Sequence, residues 1–180
     1  LVGSGVQVTS VDDDPPAISA DTFVYTPGAY GTDSYAYFAP DLFLIDDTTM
    51  MKSVTVELVN RPDSSAERPR IQGTYAGVSV SYNNYKLTFT GTASLNTYQN
   101  ILRNIEYKNT SSGATVDTTD RIIRYTVTDA NDQVGTFDLT IEIDKTPTVA
   151  TNTGTTVAEG GSSSITTAML EASDDYATGA

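Results

Sequence analysis

The chain of 180 residues contains no cysteine, no histidine and no tryptophan. Without cysteine it can form no disulfide, no thiolate metal site and no cysteine nucleophile. Without histidine it lacks the commonest general base of enzymes and the usual protein ligand of transition metals. These absences exclude several catalytic and metal-binding chemistries at once.

Basic residues are also scarce, since 10 Lys and Arg stand against 23 Asp and Glu and the net charge is −13. Nucleic-acid binding requires Lys and Arg to contact phosphates, so we expect no nucleic-acid partner. The acidic balance fits a soluble extracellular surface, a Ca²⁺-loaded protein, or both. A solvated acidic face without any ligand fits it as well.

Long apolar runs are missing too, and none approaches the roughly 20 residues of a membrane-spanning helix. We therefore expect no membrane insertion in this segment. The sequence begins at Leu1 with neither an initiator Met nor a charged-then-apolar leader, which predicts a mature or internal segment. Its length favours one domain, or one domain with pieces of its neighbours.

The clearest structural signal is the alternation of apolar and polar residues in 121–129 and 136–144. This period of two predicts two strands with one buried face, and the turn residues of 129–135 join them as a hairpin. Upstream, apolar residues recur at helical spacing from Leu95 to Ile105, with Ser94 placed as the N-cap. The hairpin residues predicted to face the core are Ile123, Tyr125, Val127, Phe137, Leu139, Ile141 and Ile143.

Shorter patterns in the first half predict further strands at 17–26, 35–45 and 53–59, and a hairpin at 75–90 that turns at Asn83-Asn84. Another strand is predicted at 105–108. The segment 60–70 is polar and contains two prolines, so it is predicted to be a mobile loop. An all-β fold follows from this distribution.

Two proline-containing segments, 11–16 and 145–147, divide the chain. They predict the last strand and linker of a preceding repeat at 1–16, a complete domain at 17–144, and a linker and the start of a following repeat at 145–180. An offset of 131 residues aligns Val6 with Phe137, Val8 with Leu139 and Pro16 with the second linker. This internal similarity favours a tandem array.

Residues 87–143 resemble the cadherin-like repeats of large secreted and cell-surface adhesins. The most specific parts are TYQNILRNIEY at 97–107 and YTVTDANDQ at 125–133. Residues 149–175 are similar to the opening of the related repeats first named in the chondroitin sulfate proteoglycans. The resemblance covers roughly residues 18–175.

The resemblance implies an immunoglobulin-like Greek-key sandwich of two sheets, repeated head to tail in a tandem array. It further implies an extracellular structural or adhesive module, acting as a stalk or fibre subunit. Neighbouring repeats of the same chain, or other copies end to end, would be its partners. Such arrays often hold Ca²⁺ between their domains.

A Ca²⁺ site is predicted at the end of the domain where the first strand begins, because the B–C and F–G loops lie there in such sandwiches. Ca²⁺ takes about six to eight oxygen ligands. The candidate ligands come from three segments: Asp12, Asp13 and Asp14, then Asp46 and Asp47, then Asp129, Asn131 and Asp132. The alternative is that these residues form turns and point into water.

The resemblance to cadherins is incomplete at the positions that hold their metal ions. The second linker, 144–147, has lost most of its acidic residues, and we identify no convincing acidic Arg-Glu motif in mid-domain. The complete metal junction of cadherins is therefore not carried over to this chain.

Two further site predictions concern modification and catalysis. Asn109-Thr110-Ser111 is an N-glycosylation sequon, which we place in a loop just after a strand. The carboxylate pairs Asp46/Asp47 and Asp63/Glu67 are of the type that glycosidases use. Nothing in the sequence places an acid in an apolar pocket that would raise its pKa, so we predict that the protein is not an enzyme.

Sugar binding is the alternative function, that of a glycan-binding accessory module of a secreted protein. Its partners would be cell-surface or matrix glycans. Tyrosines are numerous, and six of them are candidates for an exposed aromatic platform. Most fall at strand positions, where partial burial in the core is the commoner outcome. The six are Tyr30, Tyr35, Tyr37, Tyr75, Tyr82 and Tyr85.

Overall fold

The structure, a computed structural model, describes residues 14–27, 35–111, 116–144, 148–166 and 168–173. These residues form mostly β-strands, together with one α-helix and one short 3-10 helix. The all-β prediction is therefore confirmed. The predicted strand at Val6–Ser10, residues 11–13 of the first linker, the whole second linker at 145–147 and the last seven residues lie outside the described residues.

The elements follow one another in short segments along the chain. The strands are β1 (Ala17–Ser19), β2 (Phe23–Tyr25), β3 (Ala36–Tyr37), β4 (Phe43–Ile45), β5 (Met50–Leu58), β6 (Glu67–Arg70), β7 (Ser79–Asn83), β8 (Lys86–Ser94), β9 (Glu106–Asn109), β10 (Arg121–Asp129), β11 (Val134–Ile143), β12 (Thr148–Asn152) and β13 (Leu170–Ser173). The α-helix α1 spans Leu95–Arg103, and the 3-10 helix spans Ser64–Ala66.

The larger sheet has six strands in the order β2-β11-β10-β5-β8-β7. Its neighbours are antiparallel except β2 and β11, which run parallel with Phe23 opposite Ile141. A smaller sheet has the order β3-β9-β6, and two further pairs are β1-β4 and β12-β13.

The core lies between the larger sheet and the smaller one. The rings of Tyr25 on β2 and Tyr107 on β9 meet edge to face with centroids 4.9 Å apart, a favourable aromatic geometry. Phe38, which follows β3, approaches Tyr125 on β10 with centroids 6.5 Å apart. Helix α1 packs against β4, β5 and β8.

The inward-facing residues of the central strands are those that alternation predicts. The side chains of β10 and β11 at positions 123, 125, 127, 139, 141 and 143 are buried, and Phe137 is partly buried against the same core. Val54, Val56 and Leu58 of β5 are buried as well. Apolar burial of this kind contributes about 25 cal/mol per Å².

Helix α1 begins and packs as predicted. The Ser94 hydroxyl accepts a hydrogen bond from the Thr97 amide at 3.1 Å, which satisfies one of the exposed donors of the first turn. Tyr98 is fully buried, and its hydroxyl contacts the carbonyls of Gly91 at 2.6 Å and Lys52 at 3.1 Å. Those two carbonyls lie where the register of β5 and β8 shifts at a bulge. The helix therefore fixes the irregular part of the sheet.

The segment 60–70 is not the loop that its polarity predicted. It contains the 3-10 helix and β6, and Glu67 of β6 is fully buried. Pro69 is compatible with this strand because β6 lies at the edge of its sheet. The prediction failed because a glutamate is expected at the surface. The arginine that permits the burial of Glu67 lies on a distant strand, so the local sequence does not reveal it.

Candidate functional site

The two ends of the larger sheet are chemically different. We call the end formed by Asp14–Ala17, Ile45–Asp47 and Asp129–Gly135 the N-terminal pole. Pro16 packs so closely on the start of β11 that a Cβ on Gly135 would come within 1.7 Å of the Pro16 carbonyl oxygen. At the opposite end, the Asp144 amide donates to the Tyr25 carbonyl at 3.0 Å.

The N-terminal pole brings together three of the predicted Ca²⁺ ligands. Because β1 pairs with β4 and places Ala17 opposite Ile45, the acidic residues that flank these strands become neighbours. Asp14, Asp46 and Asp47 line a shared open cavity of about 410 Å³. Asp12 and Asp13 lie outside the described residues.

Asp46 is the predicted ligand with the most distinctive environment. Its Oδ2 accepts a hydrogen bond from the Thr48 hydroxyl at 2.6 Å. Its Oδ1 is buried, and none of the described residues donates a hydrogen bond to it. A buried carboxylate oxygen without a donor is costly, and a bound cation would remove that cost.

The loop after β10 holds its acidic residues in a different way. Asp129 is fully buried, and its Oδ1 accepts from the amides of Asn131 at 2.9 Å and Gln133 at 2.8 Å. Asn131 and Asp132 are exposed, and Asp132 forms an ion pair with Lys52. In the part of the chain that the structure describes, no three acidic side chains are grouped closely enough to hold a metal ion.

A buried ion cluster lies between the two sheets, and the sequence did not predict it. The Nε of Arg121 donates to Glu67 Oε1 at 2.5 Å, and its Nη2 donates to Asp63 Oδ2 at 2.7 Å. The side chains of Arg121 and Glu67 are both fully buried. The Tyr107 hydroxyl also donates to Glu67 Oε1, at 3.0 Å.

Burial governs the ionisation of this cluster. It raises the pKa of Glu67, and the hydrogen bond and charge of Arg121 only partly offset the increase. Burial acts to lower the pKa of Arg121, but hydrogen bonding to Glu67 and the electrostatic effects of Tyr107, Glu67 and Asp63 together outweigh it, so the pKa is raised. The expectation that no acid has a pKa raised by burial was therefore wrong.

One sequence signal could have revealed the cluster. Arg121 is in phase with Ile123 and Tyr125, so alternation already places its guanidinium on the buried face of β10. A buried arginine requires an acidic partner. Which acid it meets, however, depends on how the two sheets pack.

Asn109 is the last residue of β9 rather than a residue of the following loop, so that placement was wrong. Its side chain is buried, and its Nδ2 donates to Asp63 Oδ2 at 2.7 Å. A glycan on this nitrogen would have to displace that hydrogen bond beside the ion cluster. The folded domain does not present the acceptor nitrogen to solvent.

The two carboxylate pairs considered for catalysis have different surroundings. Asp63 and Glu67 both form ion pairs with Arg121, so a cation already engages both carboxylates. Asp46 and Asp47 lie at the N-terminal pole.

Several of the tyrosines considered for sugar binding lie together with arginines. The Arg70 guanidinium lies 3.2 Å from the ring centroid of Tyr35, and Arg68 Nε donates to the Tyr35 hydroxyl at 2.9 Å. The Arg61 guanidinium lies 3.0 Å from the ring centroid of Tyr85. Tyr82 lines the same groove as Tyr35, Arg68 and Arg70.

We call Tyr35, Arg61, Arg68, Arg70, Tyr82 and Tyr85 the arginine–tyrosine face. It includes a groove of about 240 Å³ between the edge strands β6 and β7. Of the other candidate tyrosines, Tyr37 is half exposed and Tyr75 is partly buried. Tyr30 lies outside the described residues.

Comparison of the chain with models of protein families, with curated proteins and with solved structures gave no match. The resemblance to cadherin-like repeats therefore stays a prediction. Among the described residues, no helix has both the length and the hydrophobicity that crossing a membrane requires.

Proposed function

We propose that the chain is an extracellular structural or adhesive module of a tandem array, used as a stalk or fibre subunit. The observation that carries this proposal is the parallel pairing of β2 with β11. Pro16 lies against Gly135 near the start of β11, and β2 then runs alongside the end of β11, where Asp144 follows, so the domain begins at one pole and ends at the other. Along β11 that separation is about 30 Å.

This geometry is what head-to-tail linkage requires. A domain whose ends lie at opposite poles adds its full length to an array, whereas adjacent ends would fold the array back on itself. Beyond Asp144, β12 and β13 pair with each other, and neither joins the larger sheet among the described strands. They would begin the next repeat.

The finer fold assignment, an immunoglobulin-like Greek-key sandwich, belongs to the same proposal. It is supported by the first segment, in which β1 pairs with β4 before β2 crosses to the edge of the larger sheet. It is also supported by the contact of the two sheets at Tyr25 and Tyr107. Sheets packed face to face in this way are typical of such sandwiches.

Ca²⁺ binding at the N-terminal pole completes the proposal. Asp46 would provide its buried Oδ1, and Asp14 and Asp47 line the same cavity. Asp12 and Asp13 would supply further oxygens from the adjoining linker. An ion held jointly by a linker and a domain would stiffen the junction between repeats.

Small-angle X-ray scattering on fusions of one, two and three copies of the chain tests the array. We expect the maximum dimension to grow by at least about 30 Å with each added copy, in proportion to pole-to-pole length. The growth should be steeper and better defined with Ca²⁺ than with EGTA. A maximum dimension that stays nearly constant as copies are added would contradict head-to-tail extension.

A further inference from the structure

The arginine–tyrosine face concentrates positive charge on a strongly acidic protein. Arg61, Arg68 and Arg70 are three of the six arginines in a chain whose net charge is −13. Arg70 is paired with Glu106 at 2.8 Å. Within the described part of the chain, Arg61 and Arg68 form no ion pair with a carboxylate.

Alternation along the edge strand β6 and the edge position of β7 place Arg68, Arg70 and Tyr82 on the surface. On β6, Arg68 and Arg70 point away from the core while Glu67 and Pro69 point into it. On β7, Tyr82 lies opposite the buried Leu87, but it is 50% exposed because β7 is the edge strand. The edge of one sheet therefore supplies arginines, and the edge of the other supplies an open aromatic ring.

The arginines are held in place without losing their capacity to bind. A guanidinium stacked on a tyrosine contacts the ring through its face, and its N–H groups lie in the guanidinium plane. Arg61 on Tyr85 and Arg70 on Tyr35 are held in this way. Tyr82 lines the groove beside Tyr35, Arg68 and Arg70, so the ring and the guanidinium groups face the same space.

We propose that the arginine–tyrosine face binds an anionic polysaccharide, whose sugar rings lie on the tyrosines and whose carboxylate or sulfate groups pair with the arginines. Charge complementarity favours this ligand over a neutral glycan. The groove is lined by two tyrosines and two arginines together with the apolar residues Pro69, Ile71, Val80 and Leu87, so it offers both flat apolar surface for sugar rings and guanidinium groups for anions.

The groove also suits one unit of a long polymer. Its volume of about 240 Å³ is below the usual range of enclosed small-molecule pockets. It lies open between two sheet edges, so a polymer could continue beyond it in both directions. The inference concerns a lateral face of the domain and is independent of the proposed array.

Binding of the complete chain to three polymers tests this inference: dextran sulfate, polygalacturonate and neutral dextran. The measurements are made by calorimetry with EDTA present, so that Ca²⁺ cannot link the polymer to the acidic pole. We expect at least one anionic polymer to bind, and to bind at least about tenfold more tightly than dextran, since each charge-assisted contact contributes about that factor. Preference for dextran sulfate or polygalacturonate would identify sulfate or carboxylate as the recognised group.

Single substitutions then locate the site. Arg61→Gln and Arg68→Gln should each weaken binding by about tenfold, and Tyr82→Ser should weaken it as well. The matched control is Arg124→Gln, which removes the same charge from an exposed arginine on β10. Its affinity should stay within about twofold of the unsubstituted chain, a difference that corresponds to a small fraction of one such contact.

Four results of the binding measurements would overturn the inference. These are failure of both anionic polymers to bind, equal binding of dextran, loss of affinity in Arg124→Gln equal to that in Arg68→Gln, or unchanged affinity in all three face variants. Sedimentation velocity then tests whether the face instead binds a second copy of the chain. If Arg68→Gln instead dissociates a dimer of the chain, the face holds a second copy and the polysaccharide assignment is wrong. None of these outcomes bears on the scattering test of the array.

Discussion

Arg121 and Glu67 are 54 positions apart in sequence, yet they form an ion pair in which both side chains are fully buried. Asp63 joins them at 2.7 Å from Arg121, and Asn109 binds Asp63 in turn. The cluster ties the segment before β6 to the start of β10. It therefore joins the two sheets by ion pairs and hydrogen bonds within the interior.

The first prediction concerns the stability that this pair provides. Arg121→Met should lower the free energy of unfolding by about 3–5 kcal/mol, because it leaves the buried Glu67 carboxylate without a cationic partner. The measurement is urea denaturation followed by circular dichroism. Arg124→Gln, which breaks an exposed ion pair instead, should have a much smaller effect.

A double substitution separates the pair from its individual charges. Arg121→Met combined with Glu67→Leu should recover much of the loss, since a hydrophobic pair often replaces a buried ion pair at little cost. If the losses from the two single substitutions simply added, the two side chains would not be coupled as the structure shows.

The second prediction concerns the bulge that Tyr98 closes. Tyr98→Phe should destabilise the domain by about 1 kcal/mol or slightly more, because the carbonyls of Gly91 and Lys52 lose a buried donor. Thermal unfolding measures the effect. Tyr37→Phe is the control, since the Tyr37 side chain is half exposed. An equal effect in both variants would contradict the role assigned to the Tyr98 hydroxyl.

The same residue offers a spectroscopic check on its burial. Burial raises the pKa of Tyr98 to about 12, so its phenol should remain protonated at a pH where exposed tyrosines ionise. Ultraviolet titration of the Tyr98→Phe variant should accordingly lose a late-titrating group and none of the early ones.

The third prediction concerns Ca²⁺. A ligand that binds only the folded state raises its stability, by about 2.7 kcal/mol at a hundredfold excess over the dissociation constant. Addition of Ca²⁺ should therefore raise the melting temperature, and EGTA should reverse the increase. Asp46→Asn should abolish the response, because it removes the charge from the carboxylate whose Oδ1 is buried without a donor.

Asp138→Asn is the matched control for this experiment. It makes the same isosteric change in an exposed carboxylate on β11 that is paired with Arg124, so the response to Ca²⁺ should survive. A melting temperature of the unsubstituted chain that is identical in Ca²⁺ and in EGTA would remove the metal from the proposal. The array geometry would still stand on the parallel pairing of β2 and β11.

The fourth prediction concerns pH. The hydrogen bond from Arg124 lowers the pKa of Asp138 below its ordinary value of 3.8. Because the folded state favours the ionised form, the contribution of this pair to stability is fully present above that ordinary value. It is lost as the pH falls through the lowered pKa.

Nuclear magnetic resonance titration of the Asp138 carboxyl tests this directly. The midpoint should lie below 3.8 in the unsubstituted chain and should move upward in Arg124→Gln. A midpoint that does not change on substitution would show that the exposed pair is not formed in solution.

Sequence and structure agree best where the pattern is local. The alternation in β5, β10 and β11 identified their buried faces, and the spacing of apolar residues together with Ser94 identified α1 and its start. These features depend on neighbouring residues alone. The side chains of a strand repeat every two residues and those of a helix about every 3.6, wherever the element lies in the fold.

The three charged features of the molecule depend instead on contacts between distant segments. Arg121 is in phase with the buried residues of β10, but sheet packing decided that it meets Glu67. The acidic residues of the N-terminal pole were identified by composition, whereas the pairing of β1 with β4 decided that Asp14 adjoins Asp46. The edges of two sheets likewise decided that Tyr82 lies beside Arg68.

The sequence by itself thus determined that this protein is built of strands, which residues they bury, and that its surface is acidic. Only the tertiary structure decided which charges meet, which of them are buried, and at which poles the chain enters and leaves. The physical reason is that periodicity is set by the local backbone, whereas charge pairing is set by strand register and by the contact of separate sheets.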